Sequence, residues 1–174
     1  MLTMSELFRA LGSDFRCLGY PSSLGALSRL MRFIVNPSMH AVTLIRVSQR
    51  GSRRLFPLVR LLLVRRHAID IGRGIEIGDA LYLPHPFGIV IASGVTIGSA
   101  VKIYHHVTLG QKDAGVPTIG SGVTIYTGSV VVGGISVGDG AIIGANSFVC
   151  KDVAPGAVVR GSELSGRTDT AVER

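Results

Sequence analysis

Cysteine is scarce in this chain. Cys17 and Cys150 are the only two among 174 residues, and they stand far apart. No disulfide framework and no metal–thiolate pattern can be drawn from them, so a reducing, cytoplasmic setting is the expected one. Long apolar runs are missing as well: no segment reaches the roughly 18 residues of a membrane-spanning helix. The N-terminus shows no basic stretch followed by an apolar core and a small-residue cleavage site, so no secretory leader is expected. Acidic residues are nearly absent from the first part. Residues 1–69 hold 11 Arg, no Lys and only Glu6 and Asp14, a charge of +9. Residues 70–174 hold 7 basic and 9 acidic residues, a charge of −2, which leaves +7 for the chain. A basic surface can meet nucleic acid, an anionic membrane or an acidic partner. Aromatic residues do not interleave with these arginines and no nucleic-acid motif is present, which argues against nucleic acid. A solvated or membrane-facing surface is left.

What the chain has is a period of six. Ile71, Ile77 and Leu83 are six apart, as are Ile91, Ile97, Ile103 and Leu109, and again Ile119, Ile125, Val131, Val137, Ile143 and Val149. A second series runs two residues earlier, through Ile69, Ile75, Leu81, Ile89, Val95, Val101 and Val107, then Val123, Ser129, Ile135, Ala141, Ser147 and Val153. One hexapeptide is a short strand and a turn, with the aliphatic residue inward and small residues where the backbone bends. No unit buries its apolar face alone, so stacked units share one core. Three units per triangular turn predict a mainly β fold: a left-handed parallel β-helix of about four to five coils, preceded by a small α-helical region. The expected division is residues 1–69 helical and basic, 70–161 coil, and 162–174 a polar, mobile tail.

In the first part, helices are expected from Ser5 to Phe15, from Ser23 to about Val35, from about Ser38 to Gly51, and from Arg53 to about Arg66 with Pro57 in its first turn. The run Leu61-Leu62-Leu63-Val64, set between Arg60 and Arg65-Arg66, suits a buried helix with charged ends. It equally suits a helix lying on an anionic membrane.

Two irregularities interrupt the sixes. The unit Leu83-Pro84-His85-Pro86-Phe87-Gly88-Ile89-Val90 is two residues too long, and four extra residues lie around Lys112-Asp113-Ala114-Gly115. Extra residues must leave the coil as loops, and in repeat proteins such loops tend to carry the binding face. His85 sits in the first loop. A neutral imidazole can take the proton of a hydroxyl as it attacks, and works best when a carboxylate fixes its tautomer. Asp70 lies 15 residues earlier, which places it on an adjacent coil near the same edge.

The segment Asp70-Ile71-Gly72, Ile77-Gly78-x-x-Leu81-x-Leu83-x-His85-x-x-Gly88-Ile89-Val90-Ile91 and then Val107-Thr108-Leu109-Gly110 resembles the serine acetyltransferases, members of the hexapeptide-repeat acyltransferases. His40-Ala41-x-x-x-x-Arg46 resembles a further segment of that family. The likeness covers most of residues 36–161. It implies a catalytic dyad of His85 as general base and Asp70 as its orienting carboxylate. It also implies acetyl-CoA as co-substrate, lying between coils of neighbouring subunits in a homotrimer or larger assembly. By position Gly110, Thr127 and Ala145 would contact the coenzyme, with Lys151, Lys112 or Arg160 meeting its phosphates. No metal is implied.

Some positions depart from the family. Pro84 stands where the family has Asp before its histidine. Gly115-Val116 precede Pro117 where serine-specific members carry Arg-His, and Asn36 stands where an acid precedes Pro. Those family residues hold an amino acid's charged groups, so the acceptor expected here is either serine or a related amino acid, or a neutral hydroxyl-rich sugar or metabolite. Two other readings stand beside the enzyme. One is a non-catalytic coil docked on a membrane or assembly through its basic part. The other is a trimer holding zinc through histidines, as in one carbonic anhydrase class. For zinc, His105 and His106 face opposite sides of a strand, so only one can join His85, and the third ligand would have to be His40 or His67.

Overall fold

The computed structural model describes residues 4–17, 35–50, 55–113 and 115–161. Residues 23–34 of the expected second helix and the tail from residue 162 lie outside the described residues. Among the described residues three helices come first: α1 (Met4–Cys17), α2 (Pro37–Arg50) and α3 (Phe56–His67). Thirteen short strands, numbered in chain order, follow among the described residues.

The strands stack in parallel as three flat sheets. The first sheet holds β1 (Asp70–Ile71), β3 (Val90–Ile91), β6 (Thr108–Gly110), β9 (Val130–Val132) and β12 (Phe148–Val149). The second holds β2 (Glu76–Ile77), β4 (Thr96–Ile97), β7 (Thr118–Ile119) and β10 (Ser136–Val137); the third holds β5 (Lys102–Ile103), β8 (Thr124–Ile125), β11 (Ile142–Ile143) and β13 (Val158–Val159). This is the left-handed parallel β-helix that the period of six predicts. Both aliphatic series point inward along their whole length. The serines of the second series are buried but satisfied: Ser129 and Ser147 both donate to the carbonyl of Gly144 at 2.7 Å, as buried hydroxyls must if they are not to destabilise the core.

The ladder absorbs both insertions. Val90 pairs with Thr108 and Val130 with Phe148, a step of 18 residues. Asp70 pairs with Val90, a step of 20 across the His85 loop, and Thr108 with Val130, a step of 22 across the second loop. That second loop is a tight hairpin in which Lys112 and Gly115 exchange two backbone hydrogen bonds of 3.1 Å.

The helices share the coil's core. Ala41, Val42 and Ile45 of α2 and Val59 and Leu63 of α3 belong to the same apolar cluster as the first coils. Arg46 of α2 is fully buried. Its guanidinium donates to Asp14 of α1 at 2.9 Å through two nitrogens, and to the carbonyls of Ile77 and Gly78 at 2.8 and 2.7 Å. Asp14 also accepts from the amide of Leu81 at 2.8 Å. One buried ion pair thus ties two helices to the coil. The apolar run of α3 is not a buried helix. Leu63 is sealed, but Leu61, Leu62 and Val64, with Leu58 and Leu55, face outward, because a helix on one side of a flat coil presents only one stripe to it.

Candidate active site at a corner of the coil

The corner between the third and first sheets is built from a column of backbone hydrogen bonds. The amide of Gly88 donates to His67 at 3.1 Å, His106 to Phe87 at 2.9 Å, Gly128 to His105 at 3.1 Å and Asn146 to Thr127 at 2.9 Å. At this corner each rung has one residue with positive φ: Gly88 (66°), His106 (57°), Gly128 (70°) and Asn146 (56°). A side chain at Gly88 would also collide with the imidazole of His106, so the His85 loop needs glycine here on both counts.

His85 stands exposed on the inserted loop, just before this corner. Its ring meets His105 on the next coil edge to face, with centroids 5.7 Å apart and planes at 77°. Tyr104 lies 6.5 Å away and stacks on Tyr126 one coil further, at 4.9 Å. Of the adjacent histidines it is His105 that joins His85, while His106 packs on Phe87 at 5.6 Å. His105 and His106 also touch each other, at 5.5 Å.

Asp70 lies just past the same corner, at the start of β1. It gets there because α3 ends in a left-handed Ala68 (φ 51°), whose amide and that of Ile69 close the helix onto Val64 and Leu63. This turn brings Arg60 over the carboxylate. Arg60 Nε donates to Asp70 Oδ1 at 2.6 Å and Nη2 to Oδ2 at 2.9 Å. That hydrogen bond is the main cause holding the Asp70 carboxyl below its ordinary range, against a smaller opposing effect of burial. Among the described residues no hydrogen bond or ion pair joins Asp70 to His85. The spacing placed both at one corner but gave no sign that an arginine ten residues upstream would hold the carboxylate.

Behind the loop, Ser38 of α2 donates to the carbonyl of Leu83 at 2.6 Å, and Asn36 caps that helix by accepting from the amides of Ser38 and Met39. A small cavity of about 150 Å³ opens here, lined by Val35, Pro37, His40, Arg66 and His67. His40 Nδ1 and His67 Nε2 share a hydrogen bond of 2.8 Å. Burial, then the charges of His40 and Arg66, push His67 down to about 4. The two third-ligand candidates for zinc are therefore bonded to each other. Among the described residues no group of three or more His, Cys, Asp or Glu is placed to hold a metal ion.

The residues implied for acetyl-CoA mark two edges of the first sheet. Thr127 and Ala145 lie on its entry corner, while Gly110 ends β6 and Lys151 follows β12 on its exit side. Ala145 and Lys151 are exposed, and Gly110 and Thr127 half-buried.

Comparison with known proteins gives consistent answers. Residues 117–151 match the family model described as bacterial transferase hexapeptide (six repeats). Over 138 residues the chain is 35% identical to a serine acetyltransferase of Helicobacter pylori, covering 75% of this chain and 81% of that one. A serine acetyltransferase of Mycobacterium tuberculosis is 38% identical over 133 residues, covering 72% and 58%. The putative serine acetyltransferase of Schizosaccharomyces pombe is 35% identical, but the chain spans about half its length, 51%. Among solved structures, the serine acetyltransferase of Neisseria gonorrhoeae superposes with a TM-score of 0.80 at 26% identity, covering 92% of this chain and 66% of that one. The soybean apoenzyme gives 0.77 at 30%, covering 90% and 66%.

Proposed function

Because the chain belongs to the serine acetyltransferase family, we propose that it moves the acetyl group of acetyl-CoA to an acceptor hydroxyl with His85 as general base. The observation that carries this reading is the imidazole itself. It stands on an inserted loop at a coil corner, exposed and with no side-chain hydrogen bond to any described residue. As the hydroxyl oxygen attacks the thioester carbonyl, His85 takes its proton. The tetrahedral intermediate then expels the coenzyme sulfur, which recovers that proton from the imidazolium. Gly110, Thr127, Ala145 and Lys151 would border the bound coenzyme.

Asp70 is the carboxylate that orients His85 in this reading. Its bond to Arg60 does not prevent that: a carboxylate offers about four lone-pair sites, and the arginine fork uses one on each oxygen. L-Serine is the first acceptor to test, as the substrate that names the relatives. Pro84, Gly115 and Val116 favour a second acceptor class, a neutral sugar hydroxyl, since an amino acid's charges need charged partners in a partly dry site.

We further propose that the enzyme works as a trimer or larger homo-oligomer. Val90 and Phe148 stand 39% and 67% exposed on the outer face of the first sheet, in one column with Thr108 and Val130 between them, a largely apolar surface that a second copy would cover. Peripheral contact of the basic helical part with an anionic membrane, on the cytoplasmic side, is a separate proposal resting on the outward leucines of α3. No described helix is long and apolar enough to cross a membrane.

The test is release of coenzyme thiol from acetyl-CoA with L-serine, homoserine and a panel of sugars. His85→Ala is expected to lose at least about a hundredfold in kcat/KM. Equal rates for the two proteins with every acceptor would sink the proposal.

A further inference from the structure

His105 carries an unusual pair of environments on one ring. Its Nδ1 is buried and has no hydrogen-bond partner, yet the residue as a whole is half-exposed. Nε2, on the opposite edge of the imidazole, is not sealed in this way and makes no hydrogen bond among the described residues, so it keeps access to solvent. Buried N–H groups without an acceptor are rare in proteins, and an orphaned lone pair is the lesser penalty. The neutral ring accordingly keeps its single proton on Nε2, at the open edge, and leaves only a lone pair sealed at Nδ1.

The ring packs against two other imidazoles. It lies at the corner after β5, edge to face with His85 at 5.7 Å and with His106 at 5.5 Å. Its carbonyl accepts from the amide of Gly128 on the next coil at 3.1 Å. The titratable groups around it are His85 on the preceding coil, Tyr104 and His106 beside it in the chain, and Tyr126 on the following coil.

We propose that His105 is a second catalytic residue, whose Nε2–H donates a hydrogen bond to the oxyanion of the tetrahedral intermediate while His85 holds the proton taken from the acceptor. This rests on the reading of His85 as general base. In that intermediate the attacking oxygen and the oxyanion sit on one carbon. Two imidazoles in ring contact can each reach one of them at the roughly 2.7–3.0 Å of a hydrogen bond. A neutral donor fixed in place before the reaction stabilises the developing charge without reorganising. No atom is gained or lost by His105: the donor bond strengthens as the carbonyl becomes tetrahedral and weakens as it reforms.

The test uses the full-length protein, acetyl-CoA and L-serine, or the best acceptor of the panel. His105→Leu should lower kcat by about a hundredfold to a thousandfold, with KM for acetyl-CoA little changed and the melting temperature near that of the wild type. His105→Gln, whose amide nitrogen replaces the Nε2 donor, should recover most of the rate. Separately, ¹⁵N spectra of His105 at neutral pH should show a protonated Nε2 and a bare Nδ1, a reading independent of activity or of the folding of any variant. A His105→Leu protein with wild-type kcat, or a protonated Nδ1, overturns the inference. If His85→Ala is fully active, the base assignment has failed instead, and the ¹⁵N result still decides the tautomer of His105.

Discussion

At the scale of the residue, Arg60 holds both oxygens of the Asp70 carboxylate, and in the proposed dyad that bond governs how much of the carboxylate's charge reaches His85. An unpaired carboxylate near an imidazole favours the imidazolium, while one already matched to a guanidinium does so less. Arg60→Gln should therefore move the acidic limb of the kcat/KM profile to higher pH, because Asp70 would then face His85 with its full charge. Arg60→Lys should restore much of the original profile. A limb unmoved in Arg60→Gln but displaced in Asp70→Asn would show that the arginine is only structural. His67 makes a different prediction. Its pKa falls from the ordinary 6.5 to about 4 on folding, so the unfolded chain binds the proton more readily. The stability this neutral histidine allows is complete above about pH 6.5 and declines as the pH falls toward 4. The loss should be on the order of 2 kcal/mol, visible in urea titrations at pH 7.5 and 4.5, and it should shrink in His67→Phe. Neither partnership was legible in the sequence. Arg60 and Asp70 meet only because of the angle at which α3 turns into β1, and His40 meets His67 only because α2 packs on α3.

At the scale of the element, helix α3 divides its leucines by role. Leu63 is sealed in the shared core, whereas Leu61 and Leu62 stand 50% and 43% exposed. Leu63→Ala should cost about 2–5 kcal/mol, but Leu62→Ser should stay within about 0.5 kcal/mol of wild type; chemical denaturation would separate them. If the outward face meets an anionic bilayer, vesicles rich in phosphatidylglycerol should co-sediment the wild type, and a Leu58→Ser, Leu61→Ser, Leu62→Ser triple variant much less. Equal sedimentation would end that proposal. The run of four apolar residues could not reveal this split, since a short continuous run has no phase and only docking decides which side is covered. The buried pair of Arg46 and Asp14 joins α1, α2 and the coil. Breaking it with Arg46→Met leaves an uncompensated carboxylate and should cost about 3–5 kcal/mol. The sequence marked Arg46 through its neighbour His40, but not its partner, although Asp14 is one of just two acids in the first 69 residues.

At the scale of the whole molecule, the coil was the most readable feature. Each inward position repeats at a fixed interval, and burial follows that interval through every sheet. Both loops were readable for the same reason: a residue too many has no inward place to go. The geometry of the candidate site was half readable. Spacing located His85 and Asp70 at one corner, but the contact of His85 with His105 depends on how the loop folds back over the next rung. Assembly should be visible in sedimentation equilibrium as a trimer or larger species. Phe148→Asp, on the outer column of the first sheet, should shift it toward monomer and lower activity with it, since the proposed coenzyme groove lies between copies.

The ladder closes over the His85 loop and resumes at Val90 as though nothing had been added. Loop length at this corner is therefore decoupled from the rest of the architecture. A grafted or lengthened segment between Leu83 and Ile89 could reshape what the histidine meets while the scaffold beneath keeps its alignment. The surroundings of that imidazole are thus open to rebuilding at one vertex, with the packing of every other rung left alone.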